Sequence, residues 1–118
     1  MSKFKLDYDF EEDLLFLYDE NKKSKGSIEF GELVVDLEKN GKIVALEIFD
    51  ASKYFTDLTD RKITRQMLSK IENASFSCIE KKGTVFVKII LPIEKEQVPA
   101  TIAIQNIAYK SPIMAHSR

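Results

Sequence analysis

The sequence predicts an α+β protein, an antiparallel β-meander of seven to eight strands with one amphipathic helix packed on one face. Three observations predict it. Apolar and charged residues alternate in short runs from Lys3 to Ile48 and again after Asn73; an Asn40-Gly41 dipeptide joins two of those runs; and between Asp50 and Asn73 the spacing of apolar residues becomes helical. The 118 residues, 44% of them apolar, suffice for one hydrophobic core without covalent staples. With only four glycines and no Pro/Ser-rich linker, the chain reads as one domain over 1–118. Within it, β-hairpins are expected over 1–50, a helical segment over 51–73, a three-stranded meander over 74–110 and a tail over 111–118.

Strict alternation from Lys3 to Phe10 places Phe4, Leu6, Tyr8 and Phe10 on one face of a half-buried strand. The acidic triplet Glu11-Glu12-Asp13 breaks it, and Leu14 to Tyr18 then runs apolar on both parities, as a strand covered on two faces does. The two form a hairpin. A solvated loop, Asp19 to Gly26, leads to a short strand from Ser27 to Phe30. Asn40-Gly41 predicts a two-residue type I′ turn, because both central positions there need positive φ. In that register Leu37, Val35 and Leu33 face Val44, Leu46 and Ile48, and a slip of one residue moves Glu47 to the apolar side.

Asp50 is placed to cap a short helical segment through Ala51, Tyr54 and Phe55, and Thr59 or Asp60 to cap a second. In the second, Ile63, Met67, Leu68 and Ile71 form the apolar stripe of the amphipathic helix. Strands follow over Ser75–Glu80 and Thr84–Leu91, joined by Lys81-Lys82-Gly83. A loop between Pro92 and Pro99 precedes a last strand, Ala100–Tyr109, whose change of parity predicts a β-bulge near Gln105-Asn106.

Composition narrows the chemistry. A single cysteine, Cys78, excludes an intramolecular disulfide and a thiolate zinc site, and a single histidine, His116, lies near the C-terminus. Cys78 falls in an apolar strand and reads as a small core residue; a nucleophile–base pair with His116 would need the tail to fold back. No secretory signal precedes the first strand, and the longest apolar stretch, Ile89 to Ile93, is far short of a bilayer span of about 20 residues, so a cytoplasmic location without membrane contact is expected. The net charge of −1 conceals an asymmetry: residues 1–60 carry 15 acids and 8 bases, a net −7, whereas residues 61–118 carry 4 acids and 10 bases, a net +6. Such a division suits two faces of one fold, or docking on a second copy.

Asp36 to Glu47 comes close to an EF-hand calcium loop, with Asp36, Glu38, Asn40, Gly41, Ile43 and Glu47 at the ligand and turn positions. The flanks are β-branched and alternating rather than helical, which refuses an EF-hand. What survives is a loosely held cation on a face shared by Asp36, Glu38 and Glu47, set against a merely solvated face. The cluster Asp7, Asp9, Glu11, Glu12 and Asp13 has the same two readings, a cation site or an edge kept soluble by charge. Arg61, Lys62, Arg65 and Lys70 on the amphipathic helix, with Lys81, Lys82 and Lys88 beyond it, are the residue types that track a phosphate backbone. The net charge, the absence of Trp and the lack of a nucleic-acid module favour a solvated helix face instead.

One pattern is more specific. Tyr8-Asp9-Phe10-Glu11-Glu12-Asp13-Leu14-Leu15-Phe16-Leu17, then Asp36-Leu37-Glu38-Lys39-Asn40-Gly41, then Ala45 to Lys53 resembles the bacterial and archaeal domain-of-unknown-function family 2283, whose pattern runs Y-D-x-E-x-D-x-L-Y-I, D-x-D-x-x-G and G-I-E-I-x-x-A. Ala45-Leu46 stands for Gly-Ile, Phe16 for Tyr and Glu38 for the second Asp. The resemblance covers residues 8–53 and implies a small, β-rich, non-secreted protein, with members beside toxin-like genes pointing to antitoxin-like partner binding; no catalytic residue comes with it. The expected function is therefore a non-catalytic protein-interaction module, a homodimer, with no cofactor. Nucleic-acid binding through the basic helix face and a metal-dependent enzyme on the Asp/Glu hairpin face are the alternatives.

Overall fold

A computed structural model describes residues Ser2–Gln105. Eight strands form one antiparallel sheet: β1 (Ser2–Asp9), β2 (Leu14–Tyr18), β3 (Gly26–Phe30), β4 (Leu33–Leu37), β5 (Ile43–Ile48), β6 (Asn73–Lys81), β7 (Thr84–Ile93) and β8 (Glu96–Gln105). Helix α1 (Ala51–Thr59) and a single turn, α2 (Arg65–Leu68), connect β5 to β6. The order across the sheet is β3-β4-β5-β2-β1-β6-β7-β8. It is not the simple meander the sequence suggested. Two three-stranded meanders flank the β1–β2 hairpin, so β2 pairs with β5 and β1 with β6.

Each strand turns one parity inward. Phe4 and Leu6, Leu15 and Leu17, Leu33 and Val35, Leu46 and Ile48, and the alternate residues from Val85 to Ile104 join one buried cluster, completed by Ala51 and Phe55 of α1. Phe4 and Phe76 stack with ring centroids 4.0 Å apart across the β1–β6 seam. α1 packs against β8 and α2. The second face of β2 is only half covered: Leu14, Phe16 and Tyr18 are partly exposed.

The β4–β5 register agrees with the sequence reading over Leu33–Ile48, Val34–Glu47, Val35–Leu46 and Asp36–Ala45, then shifts so that Leu37 faces Ile43. The turn accounts for the shift. Gly41 N–H donates to the Glu38 carbonyl at 2.9 Å and Gly41 alone has positive φ, 88°, so the connection is a three-residue loop with a glycine bulge rather than a type I′ turn. Gly41→Ala is expected to cost about 1 kcal/mol or more, read from urea unfolding, because an L side chain is strained there. The both-positive geometry occurs instead at Lys82 and Gly83, with φ of 52° and 82°, between the paired Lys81 and Thr84.

Three further expectations are corrected. The loop from Pro92 to Pro99 is a two-residue connection, since Ile93 pairs with Glu96 and the ladder runs unbroken to Thr84–Gln105. Both prolines are tolerated because β6 pairing ends at Ile90, before Pro92, and Pro99 lies on the edge strand. The helix is α1, and the stripe expected to form an amphipathic helix over 61–72 forms one turn between loops. Ile63, Leu68 and Ile71 are nevertheless buried. Asp60 enters the left-handed region at φ 57° and ends α1, and Thr64, not Thr59 or Asp60, caps α2 by accepting the Met67 amide at 3.1 Å. The expected bulge at Gln105-Asn106, the remainder of the last strand and the tail lie outside the described residues. No helix among the described residues is long and apolar enough to cross a membrane.

Candidate functional site

The densest polar constellation lies where the β1–β2 turn meets the start of α1. Asp9 Oδ1 accepts the amides of Glu11 and Glu12 at 3.1 and 3.0 Å, which folds the turn back and delivers Asp13 at φ 53° to the head of the helix. Asp50 occupies the N-cap position, but its left-handed backbone gives no side-chain cap bond. Asp13 does the capping from 39 residues away. Its carbonyl accepts Ala51 N–H at 2.9 Å, Oδ1 accepts Ser52 N–H at 3.0 Å, and Oδ2 accepts the Ser52 hydroxyl at 2.7 Å. The Tyr8 hydroxyl donates to Oδ1 at 2.5 Å.

Arg65 at the head of α2 closes the same knot, donating from Nη1 to the carbonyls of Phe10 and Glu11 at 2.9 and 3.1 Å, with Nε 3.8 Å from Asp13 Oδ2. Asp13 is buried, at 4% exposure. Burial alone would raise its pKa; the hydrogen bonds from Tyr8 and Ser52 and the charge of Arg65 outweigh it and hold the carboxyl below its ordinary value. Burial, together with the Asp13 carboxylate, raises the Tyr8 phenol. Every polar atom of this carboxylate thus has a partner from the chain itself, and the arrangement welds turn, helix and loop together.

The other end of the sheet carries an open cleft of about 520 Å³, floored by Phe4, Phe76, Val44 and Val85 and rimmed by Lys22, Lys42, Glu38 and Glu80. Cys78 lines it. The expectation that this residue belongs to the core is corrected: β6 outruns β1, whose pairing stops at Ser2–Phe76, so Cys78 is exposed. Its thiol is nonetheless partly desolvated, which pushes its pKa up to about 11 and leaves it protonated at neutral pH. His116 lies outside the described residues.

The outward face is the third feature. Across five strands, Glu29, Val34, Glu47, Phe16 and Asp7 stand in one row of directly paired positions. Tyr18 stacks on Phe16 with centroids 4.8 Å apart. On β6–β8 the corresponding face carries a different row, Ile79, Phe86 and Ala103. Ile79 is 61% exposed and Phe86 37%.

The sequence-derived candidates are only partly gathered. Asp36 is buried and accepts the Ser27 hydroxyl at 2.6 Å, Glu47 sits one row away, and Glu38 lies past the bulge in the turn. Among the described residues no three His, Cys, Asp or Glu side chains come together as a metal site. Arg61, Lys62, Arg65 and Lys70 do not share a helix face, because only Arg65 is helical. Arg61 Nη1 reaches Glu96 at 2.6 Å, Arg65 belongs to the Asp13 knot, and Lys62 and Lys70 are exposed. Sequence reasoning missed the knot itself. Asp13 looked like one of three solvated acids, and the signal that could have singled it out was its fixed place in the family-like pattern.

Fold and knot together define an open-faced antiparallel sheet domain with a helix pinned at one end. Residues 5–52 match the family model described as protein of unknown function (DUF2283), in agreement with the resemblance read from residues 8–53. The chain is 38% identical over 73 residues to an uncharacterized protein of Methanocaldococcus jannaschii, covering 58% of this chain and 63% of that one. It is 45% identical over 51 residues, 43% of this chain and 42% of the other, to a Methanosarcina mazei protein that carries the provisional name hypoxanthine phosphoribosyltransferase. The chain therefore spans less than two thirds of either relative. No solved structure matches it. The matched segment runs from Lys5 in β1 through β5 to the first two residues of α1, so it contains Tyr8, Asp13, Ala51 and Ser52, with Arg65 outside it.

Proposed function

We propose that the protein is a non-catalytic protein-interaction module of the cytoplasm that associates with a second copy of itself. The observation that carries this reading is the uncharged row Ile79, Phe86 and Ala103 on the outward face of β6–β8, where two large apolar side chains stand directly paired and open to solvent. Burying such a patch is the main favourable term available to an association of this kind. The sheet edges that β3 and β8 form among the described residues and the −7/+6 division of charge support the same reading. The antitoxin-like partner binding implied by the family resemblance is a special case of it. The Methanosarcina protein's name is not carried over, since the match spans under half of that protein.

Sedimentation velocity over a wide concentration range tests the proposal. The expected result is a dimer whose dissociation midpoint rises at least about tenfold in an Ile79→Ser, Phe86→Ser double variant, each copy losing two apolar contacts. A species that stays monomeric at every concentration removes the homodimer.

A further inference from the structure

We infer that the outward face of β1–β5 docks a cationic, lysine- or arginine-bearing segment of a partner protein. This rests on the reading of the protein as an interaction module, but it uses a different surface from the Ile79–Phe86 row.

The face is neither an ordinary solvated surface nor an apolar one. In the row Glu29, Val34, Glu47, Phe16, Asp7, acidic and apolar side chains alternate strand by strand. Neighbouring strands lie about 4.8 Å apart, so the carboxylates recur about every 9.6 Å with an apolar group between each pair. Among the described residues none of the three is ion-paired; the nearby Lys5 reaches Glu20 at 3.8 Å, Arg61 reaches Glu96, and Arg65 is held at Asp13.

The apolar members have a matching character. Phe16 is partly exposed, stacks on Tyr18 and has carboxylates on both sides, Glu47 on β5 and Asp7 on β1. A guanidinium or ammonium group over that ring meets the negative face of the aromatic quadrupole and two flanking carboxylates at once. Guanidinium gains most, since its plane stacks while its edge donates. A neutral apolar partner would leave the three carboxylates unpaired and desolvated, and an acidic one would be repelled. The charge complementarity therefore selects a cationic occupant.

The test is an amide-resolved titration of the uniformly labelled full chain with nona-arginine, and with nona-glutamate as control, at low and high salt. Nona-arginine is expected to shift amides around Asp7, Phe16, Glu29, Val34 and Glu47, with weaker binding at high salt. The affinity should fall at least about tenfold in an Asp7→Asn, Glu47→Gln double variant and about threefold in Phe16→Leu, which keeps the charge and removes the ring. All three positions are solvent-facing, and matched thermal unfolding of the variants shows that the fold is retained. Equal affinity for all variants, or shifts confined to the Glu11-Glu12 turn or the Glu94–Glu96 hairpin, overturns the inference. The Ile79→Ser, Phe86→Ser variant separates the two readings: it should lose self-association and keep the nona-arginine response, so either surface can fail while the other stands.

Discussion

Phe55→Ala is expected to destabilise the protein by about 3–5 kcal/mol, a large part of the roughly 5–15 kcal/mol that holds a domain of this size together. Phe55 is the largest fully buried side chain among the described residues, at 0% exposure, and it is the anchor by which α1 enters the core. Its ring meets Tyr54 edge-on, with centroids 5.9 Å apart, and α1 packs on β8. Removing the ring takes away the burial of an aromatic side chain and leaves a cavity that the surrounding sheet, fixed by its own ladder, can fill only in part. Urea unfolding should show the midpoint fall with little change in slope. Tyr54→Ala, at a partly exposed position on the same helix, should cost distinctly less; a similar cost at both positions would mean that α1 is held by helix propensity rather than by its core contact.

That expectation also shows where the sequence was readable. Ala51, Tyr54, Phe55 and Leu58 fall at i, i+3, i+4 and i+7, the helical spacing, and both Ala51 and Phe55 are buried. Ile63, Met67, Leu68 and Ile71 have an equally helical spacing, yet form one turn, because periodicity reports which residues go inward and not which backbone takes them there. What broke that helix was local: the left-handed Asp60, and Thr56 Oγ1 accepting the Ile63 amide at 2.9 Å in place of a helical carbonyl. The β4–β5 register was legible because Leu33, Val35, Leu46 and Ile48 must share a face, whereas the turn type was not, since Asn40-Gly41 fits both the two-residue and the bulged loop.

Strand order was hidden for a different reason. Nothing local says that β2 joins β5 and β1 joins β6; that follows from long-range closure of the sheet over the helix. Within the candidate surfaces, Glu47 and Asp7 could each be assigned an outward parity, whereas Phe16 lies in a run apolar on both parities, and the alignment of the three in one row needed that order. The knot needed it too. The family-like pattern names Tyr8, Asp13 and Ala51, and the structure supplies a physical link within the set: the phenol, the carboxylate and the helix amide meet at one point.

Asp13→Ala is the change expected to break that weld, at a cost of about 3 kcal/mol or more. The carboxylate is buried and takes bonds from Tyr8 and, twice, from Ser52, so its loss leaves the Tyr8 and Ser52 hydroxyls and the Ser52 amide without this acceptor, while Ala51 N–H keeps the backbone carbonyl. Arg65 contributes less to the total, because it is itself nearly half exposed and keeps its two carbonyl acceptors. Asp13→Asn should recover part of the loss: asparagine tolerates the left-handed φ of 53° and still offers one acceptor oxygen. The charge also gives the weld a pH signature. The folded carboxyl titrates below its unfolded value of about 3.9, so the unfolded chain binds more protons in that interval. The contribution is therefore fully present above about pH 4 and is lost as the pH falls through the folded value. Tyr8 behaves oppositely. Its raised phenol pKa gives stability that is present below about pH 10 and lost as the pH rises toward the folded value. Urea unfolding of the wild type, Tyr8→Phe, Asp13→Asn and the double variant between pH 3 and 7 measures the Asp13 effect and the coupling between the two residues. The stability gap between wild type and Asp13→Asn should close toward pH 3, and the cycle should show coupling between the two residues of about 1 kcal/mol. A gap that stays constant with pH would mean that Asp13 acts through its backbone carbonyl and left-handed geometry rather than through its carboxylate.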